Sequence, residues 1–446
     1  MVMRAAVGGG LGLFLVLAPA AWGGTLRFVV DDPDGLAART RVPLMATFLP
    51  LERGVPMRLV DKEHNAALVF QQAELPSEPK YPRESSAISS DTLGAPGRSP
   101  QVRGCWVMPT GAKGRWVLEP EPAANRSEPK YPRESPTISS DTLPLVQLSV
   151  EAAADKSHAD ILEGGKLVLR YHIANAPLPE GVPARYACGD YIHPLCGPDG
   201  EVLTEAHPKD HPHHRGVMWT WPVLKWKGRA CNPWVGQGCW TRPEGVLSTA
   251  GGPLFAEIRV HQTWKWDDKE PVAREIVTIR AFKQDARCRF VDIELRLTAL
   301  ADDLTISGQP PEGYGGFGLR MARHKNQKMV TYTGTEEEKR GTVTSRQARS
   351  WGDYSDTFPG GKDRAGVAIF EGLSNPLYPN AWLKYPGLDF IMPAFPGPRD
   401  FALPKGQAIE LRHRLWIHPG AGDDKALADQ WAAYANPPKV SVAAGE

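Results

Sequence analysis

The sequence predicts an all-β protein: a large antiparallel β-sandwich, preceded by a small β-sandwich module and closed by one C-terminal helix. Three observations carry this. Apolar and polar residues alternate along many short segments, most strictly in Phe290–Leu297, where Val291, Ile293, Leu295 and Leu297 share one face. With 44 glycines and 42 prolines, turn residues separate these segments at short intervals. A helical period appears at one place, Asp423–Tyr434, with an acidic start, Leu427, Trp431 and Tyr434 on one side, and a stop at Asn436–Pro438.

In chain order, a length of 446 residues implies two or three units. Residues 1–23 have the pattern of an export signal: Arg4, the apolar run Ala5–Leu17, then small residues suited to cleavage. That run is short and glycine-rich against the roughly 20 apolar residues of a spanning helix, so the mature protein is expected to be secreted or periplasmic, with no membrane partner once the signal is removed. Residues 24–120 form the small module, with strands expected at Leu26–Val30, Met57–Val60, Ala67–Phe70 and Arg115–Leu118. A linker, 77–93, interrupts it and recurs almost unchanged as 127–143, within a second linker spanning 121–143. Two copies are too few for a solenoid, and Ser, Pro, Glu and Lys give such a segment little to bury.

The main domain is expected over 144–437, with 438–446 as a tail. Its strands are anticipated at Val146–Val150, Leu167–His172, Phe255–His261, Arg274–Arg280, Phe290–Leu297, Val367–Phe370 and Ile409–Ile417. The charged face of the Phe290 strand, Asp292, Glu294 and Arg296, is expected to meet solvent.

Lys and Arg total 52 against 51 Asp and Glu, a balance that offers nothing to nucleic acid. Export permits disulfides, and Cys188/Cys196 and Cys231/Cys239 bracket Gly/Pro-containing loops that two staples would close, although six cysteines allow 15 connectivities. Neither pair has the spacing of a structural zinc site.

The chemistry concentrates in His207–Gly216, which holds four of the 12 histidines together with Lys209, Asp210 and Arg215. Pro208 and Pro212 exclude helix and central strand, which leaves an ordered polar loop. His211, His213 and His214 are candidate acid/base groups and Asp210 the carboxylate that orients one of them. Trp219 follows as an apolar surface suited to a sugar face, and Arg215 and Arg320 as ligand clamps. Trp351–Asp356 is expected as a loop presenting Trp351 and Tyr354 beside two carboxylates, and His418 as a further ligand contact. The alternative for each is structural: a solvated turn, a surface arginine, a histidine bonded to carbonyls. For His413, which shares its face with Leu411, Leu415 and Ile417, a core position is the expectation. The glycine-rich run Glu312–Arg320 lacks the strand–turn–helix setting of a phosphate loop, and no G-x-S-x-G elbow is present.

Five segments occur in an order that resembles the PmoA-like family of secreted bacterial proteins: Tyr191–Gly200, Asp210–Gly216, Gly313–Arg320, Trp351–Tyr354 and Asn375–Pro379. The resemblance covers Leu167 to Gly420, and its most specific part is the D-H-P-H-H-R run from Asp210 to Arg215. More distantly the pattern is similar to the galactose-mutarotase-like supersandwich of sugar epimerases and polysaccharide-active enzymes. The resemblance implies a supersandwich fold and a saccharide ligand. The extra His413 departs from the single histidine expected near the domain end, at His418.

The expected function is therefore carbohydrate-directed acid/base chemistry, such as epimerisation, lyase or glycoside cleavage, with no cofactor. A non-catalytic sugar-binding module of the envelope is the first alternative. A metal-dependent oxidoreductase is the second, since imidazole and carboxylate suit zinc, iron or copper.

Overall fold

The structure, a computed structural model, describes residues 26–31, 40–41, 43–48, 57–61, 66–68, 71–74, 102–107, 115–120, 146–324, 326–333, 350–437 and 439–444. The expected signal, residues 1–23, and both copies of the repeat, 77–93 and 127–143, lie outside these. Two compact units are present, one formed by 1–146 with 436–446, the other by 147–435.

The first unit holds a five-stranded and a three-stranded antiparallel sheet. Residues 438–446, expected as a tail, instead contribute the strand Lys439–Ala444, paired along its length with Leu26–Asp31. The alternation of Val440 and Val442 with Ser441 is the strand pattern that six residues were too few to advertise.

The second unit is all-β, with two eight-stranded antiparallel sheets, a four-stranded sheet and, among the described residues, one α-helix. One large sheet has short strands, in the order Ala381–Tyr385, Phe390–Ala394, Gly316–Arg320, Val217–Thr220, Tyr191–Leu195, Lys166–His172, His158–Glu163, Leu148–Ala152. The other has long ones, in the order Cys239–Ala250, Phe255–Trp266, Glu270–Phe282, Arg289–Ala299, Ala408–Pro419, Arg364–Glu371, Ser350–Thr357, Lys328–Thr333. Inward residues of both sheets make one core. Val291, Ile293, Leu295 and Leu297 meet Val277, Ile279 and Leu415 in it, together with Trp219 and Phe317 of the short-stranded sheet. Each fully buried aliphatic side chain contributes about 1.5–3 kcal/mol, so this face fixes the register of the long strands. His413 points inward as expected, buried and stacked on Phe317 at 4.1 Å between ring centroids.

The outer face of the long-stranded sheet is only partly solvated. Arg296 is exposed, but Asp292 is buried and accepts from Nε and Nη2 of Arg414, at 2.6 and 2.8 Å. Arg280 pairs with Glu257 beside it and lies 3.6 Å from Glu294. The helix Asp424–Ala435 explains the difference. Asp423 caps it by accepting from the Ala426 amide, Leu427 and Trp431 are buried, and Tyr434 lies 4.9 Å from the Arg414 guanidinium.

Candidate functional site

The histidine segment is a loop closed by a bridge between Ala206 and Arg215. His207 N–H donates to the His214 carbonyl (2.8 Å), Gly216 N–H to Glu205 (2.8 Å), and the turns between are tied by His211 to Pro208 and His214 to His211. With Pro208 and Pro212 unable to donate, histidine backbones supply the bonds that order the loop. Gly216 lets it lie on the Tyr191–Leu195 strand: its φ is 50°, and a Cβ there would sit 2.2 Å from the Ile192 carbonyl oxygen.

Three imidazoles converge. Ring centroids are 4.9 Å apart for His211 and His214, 4.7 Å for His213 and His214, and 5.5 Å for His211 and His213. His214 is buried against Phe390 (4.7 Å) and Trp234 (6.0 Å), while His213 is half-buried, 6.1 Å from Tyr186. Burial, then the neighbouring cationic groups, pushes the His214 pKa down to about 2 and that of His213 to about 4. Both rings are neutral at neutral pH.

Asp210 lies 3.5 Å from His211 Nδ1 and accepts from Arg320 Nη2 at 3.1 Å. Burial opposes its ionisation, but Arg320 and His211 outweigh this and hold the carboxyl below its usual range. Arg320 is fully buried and also donates to Glu205 (3.1 Å). Its strand reaches this place because Gly318 leaves room for the Phe390 ring, which a Cβ would approach to 2.6 Å. Arg323 continues the ion pairs, 3.5 Å from Asp210 and 2.8 Å from Asp389, which accepts from the Tyr354 hydroxyl at 3.0 Å.

The structure thus brings together His211, His213, His214, Asp210 and Arg320, with Arg215 at the edge, its Nη1 2.7 Å from Cys188 Sγ. It places the expected stacking surfaces elsewhere. Trp219 points into the core and donates through Nε1 to Glu275 (2.8 Å). Trp351–Asp356 is not a loop but part of the strand Ser350–Thr357, paired on both sides, in which Trp351 and Tyr354 are buried. His418 is a buried partner of Asp353 (2.9 Å), packed on Trp416 at 4.5 Å, and takes no place in the cluster. In each case burying the large ring outweighs presenting it to a ligand.

Two buried carboxyls that influence each other, Asp190 and Glu275, are not singled out by the sequence. A local signal existed for Glu275: alternation in Glu270–Phe282 puts it on the same face as Ala273, Val277 and Ile279, an acid among core residues. None existed for Asp190.

Among the described residues no three His, Cys, Asp or Glu side chains are grouped to hold a metal ion. Cys188, Cys196, Cys231, Cys239 and Cys288 are free thiols. Cys188 and Cys196 flank the strand Tyr191–Leu195, and five extended residues span roughly 17 Å, far beyond the reach of a disulfide. Cys231 and Cys239 differ: a bridge between Asn232 and Gln237 doubles the chain back between them and brings the two thiols within each other's influence.

Comparison with curated proteins gives no match. Residues 158–432, which contain the histidine loop, the arginine strand and both carboxyls, match the model of the family of unknown function DUF6807, and the chain belongs to that family.

Proposed function

We propose that the protein is a carbohydrate-active enzyme of the exported compartment, working on a saccharide by proton transfer at the His211–His213–His214–Asp210 cluster. The observation that carries this is the pairing of two kinds of imidazole in one place. His213 is neutral and half-buried, and His211 is held against an ionised carboxylate that is itself fixed by a buried arginine. A neutral imidazole accepts a proton from a hydroxyl or an activated C–H, and a second imidazole beside a carboxylate returns one. His214 packs behind them and sets their orientation, while Tyr186 offers an aromatic edge beside His213. The choice among epimerisation, elimination and glycoside cleavage rests on the resemblance of the sequence motifs to PmoA-like and mutarotase-like proteins.

The test is a panel of mono- and oligosaccharides scored for binding and turnover with the native protein and with His211→Ala and His213→Ala. Loss of turnover in both variants with the fold retained supports the proposal, and unchanged turnover removes it. Binding with every glycan left intact favours a sugar-binding module instead.

A further inference from the structure

Arg215 lines a cavity of about 30 Å³ together with Cys188, Asp190, Trp219, Trp240 and Trp264. By volume it admits roughly two water-sized groups. Behind Asp190 stands Glu275, fully buried, with one oxygen accepting from Trp219 Nε1 (2.8 Å) and the other from Trp264 Nε1 (2.7 Å). The Tyr171 hydroxyl donates to Asp190 Oδ1 at 2.7 Å, and Gln262 in turn donates to Tyr171.

Burial pushes the carboxyls of Asp190 and Glu275 up, and the charge of Asp190 pushes Glu275 further. Arg215 stands against this pair, so the cavity is lined by groups of both signs. Two groups there have capacity to spare. Arg215 Nε meets no acceptor and Asp190 Oδ2 meets no N–H or O–H donor from the protein, although the residues are only 7% and 6% exposed. A buried donor and a buried acceptor left unmet cost roughly 1–3 kcal/mol each, so such a pair is informative about what belongs between them.

We propose that this cavity is a hydroxyl-binding subsite. Arg215 Nε donates to the oxygen of a ligand hydroxyl, the hydroxyl hydrogen goes to the Asp190 carboxyl, and the indoles of Trp219 and Trp264 face the attached carbon. A cation would meet the Arg215 guanidinium, which lines the same cavity. An anion would meet the charge of the carboxyl pair. The subsite rests on the saccharide reading for its natural ligand, since Arg215 joins the cavity to the histidine loop, but its chemistry can be tested without it.

Methanol, methylammonium and formate are alike in size and differ in charge. Each is titrated into the full chain while the indole N–H resonances of Trp219 and Trp264, assigned by Trp→Phe variants, are followed by NMR. The expected result is a saturable shift with methanol alone, weakened at least ten-fold in Arg215→Lys and in Asp190→Asn. A shift with formate or methylammonium instead, or with none of the three, overturns the proposal; the comparison in the native protein does not depend on any variant folding. His211→Ala separates the two readings. If it abolishes glycan turnover but keeps the methanol shift, both stand. Turnover that survives while the shift persists removes only the catalytic proposal, and turnover that is lost without any methanol shift removes only the subsite.

Discussion

His413 allows the core to be tested through pH. Burial, with no hydrogen bond to offset it, pushes its pKa down to about 3, against about 6.5 in an unfolded chain. Between those values the unfolded chain binds a proton that the folded chain refuses. The stability that depends on a neutral ring is therefore complete above about pH 6.5 and lost progressively as pH falls towards 3. At pH 5 the unfolded state gains about 1.5 pH units of protonation free energy, about 2 kcal/mol. That is a large part of a domain stability of about 5–15 kcal/mol. His413→Phe keeps an aromatic ring on Phe317 and removes the titration. Relative to the native protein, the variant should gain about 2 kcal/mol between pH 7.5 and pH 5, whatever its stability at neutral pH. Urea unfolding followed by indole fluorescence at several pH values gives the comparison. Stability curves that run parallel across that range would refute the reasoning, because they would mean that the folded state protonates His413 as readily as the unfolded chain.

Four further outcomes follow from the same geometry. Glycan turnover, if His213 is the base, should rise as pH climbs through about 4 and then level, and a pH–rate profile of kcat/KM checks this. Gly318→Ala drives a methyl into Phe390 and should cost about 1–3 kcal/mol in thermal or urea unfolding, while disturbing the packing behind His214. Protein kept under oxidising conditions and analysed without reductant should contain a Cys231–Cys239 crosslink and no Cys188–Cys196 crosslink, read by peptide mass mapping. Metal analysis of protein purified without chelator or a histidine tag should find well under one zinc, iron or copper per chain; a full equivalent would put the oxidoreductase reading first.

What could be foreseen depended on how far apart the determining residues lie. Strands such as Phe290–Leu297 and the helix near Asp423 are set by their own period, and they stand at those positions with ends moved by a few residues. The histidine cluster was visible because its members are contiguous. Trp351–Asp356 was misjudged because both of its faces carry polar groups, and what makes those groups compatible with a buried strand is remote: Asp389 for Tyr354 and His418 for Asp353. The same holds for Asp190 and Glu275, which meet only when two different sheets close on each other. Aromatic residues were assigned to a ligand on proximity to polar neighbours, but a tryptophan uses one N–H to satisfy a buried acceptor and the rest of its surface to fill the core, as Trp219 does.

The pairing of Leu26–Asp31 with Lys439–Ala444 makes the larger unit an insertion within the smaller one. The smaller sheet therefore needs strands from both sides of 147–435, while 147–435 is free to fold without them. Loop closure over such a distance is entropically tolerable, since each doubling of length costs only about 0.6 kcal/mol, and a folded insert shortens the effective loop further. A truncation just after the helix should therefore spare the unit that bears the histidine loop and unravel the other, so that loss of one strand separates the stabilities of the two units.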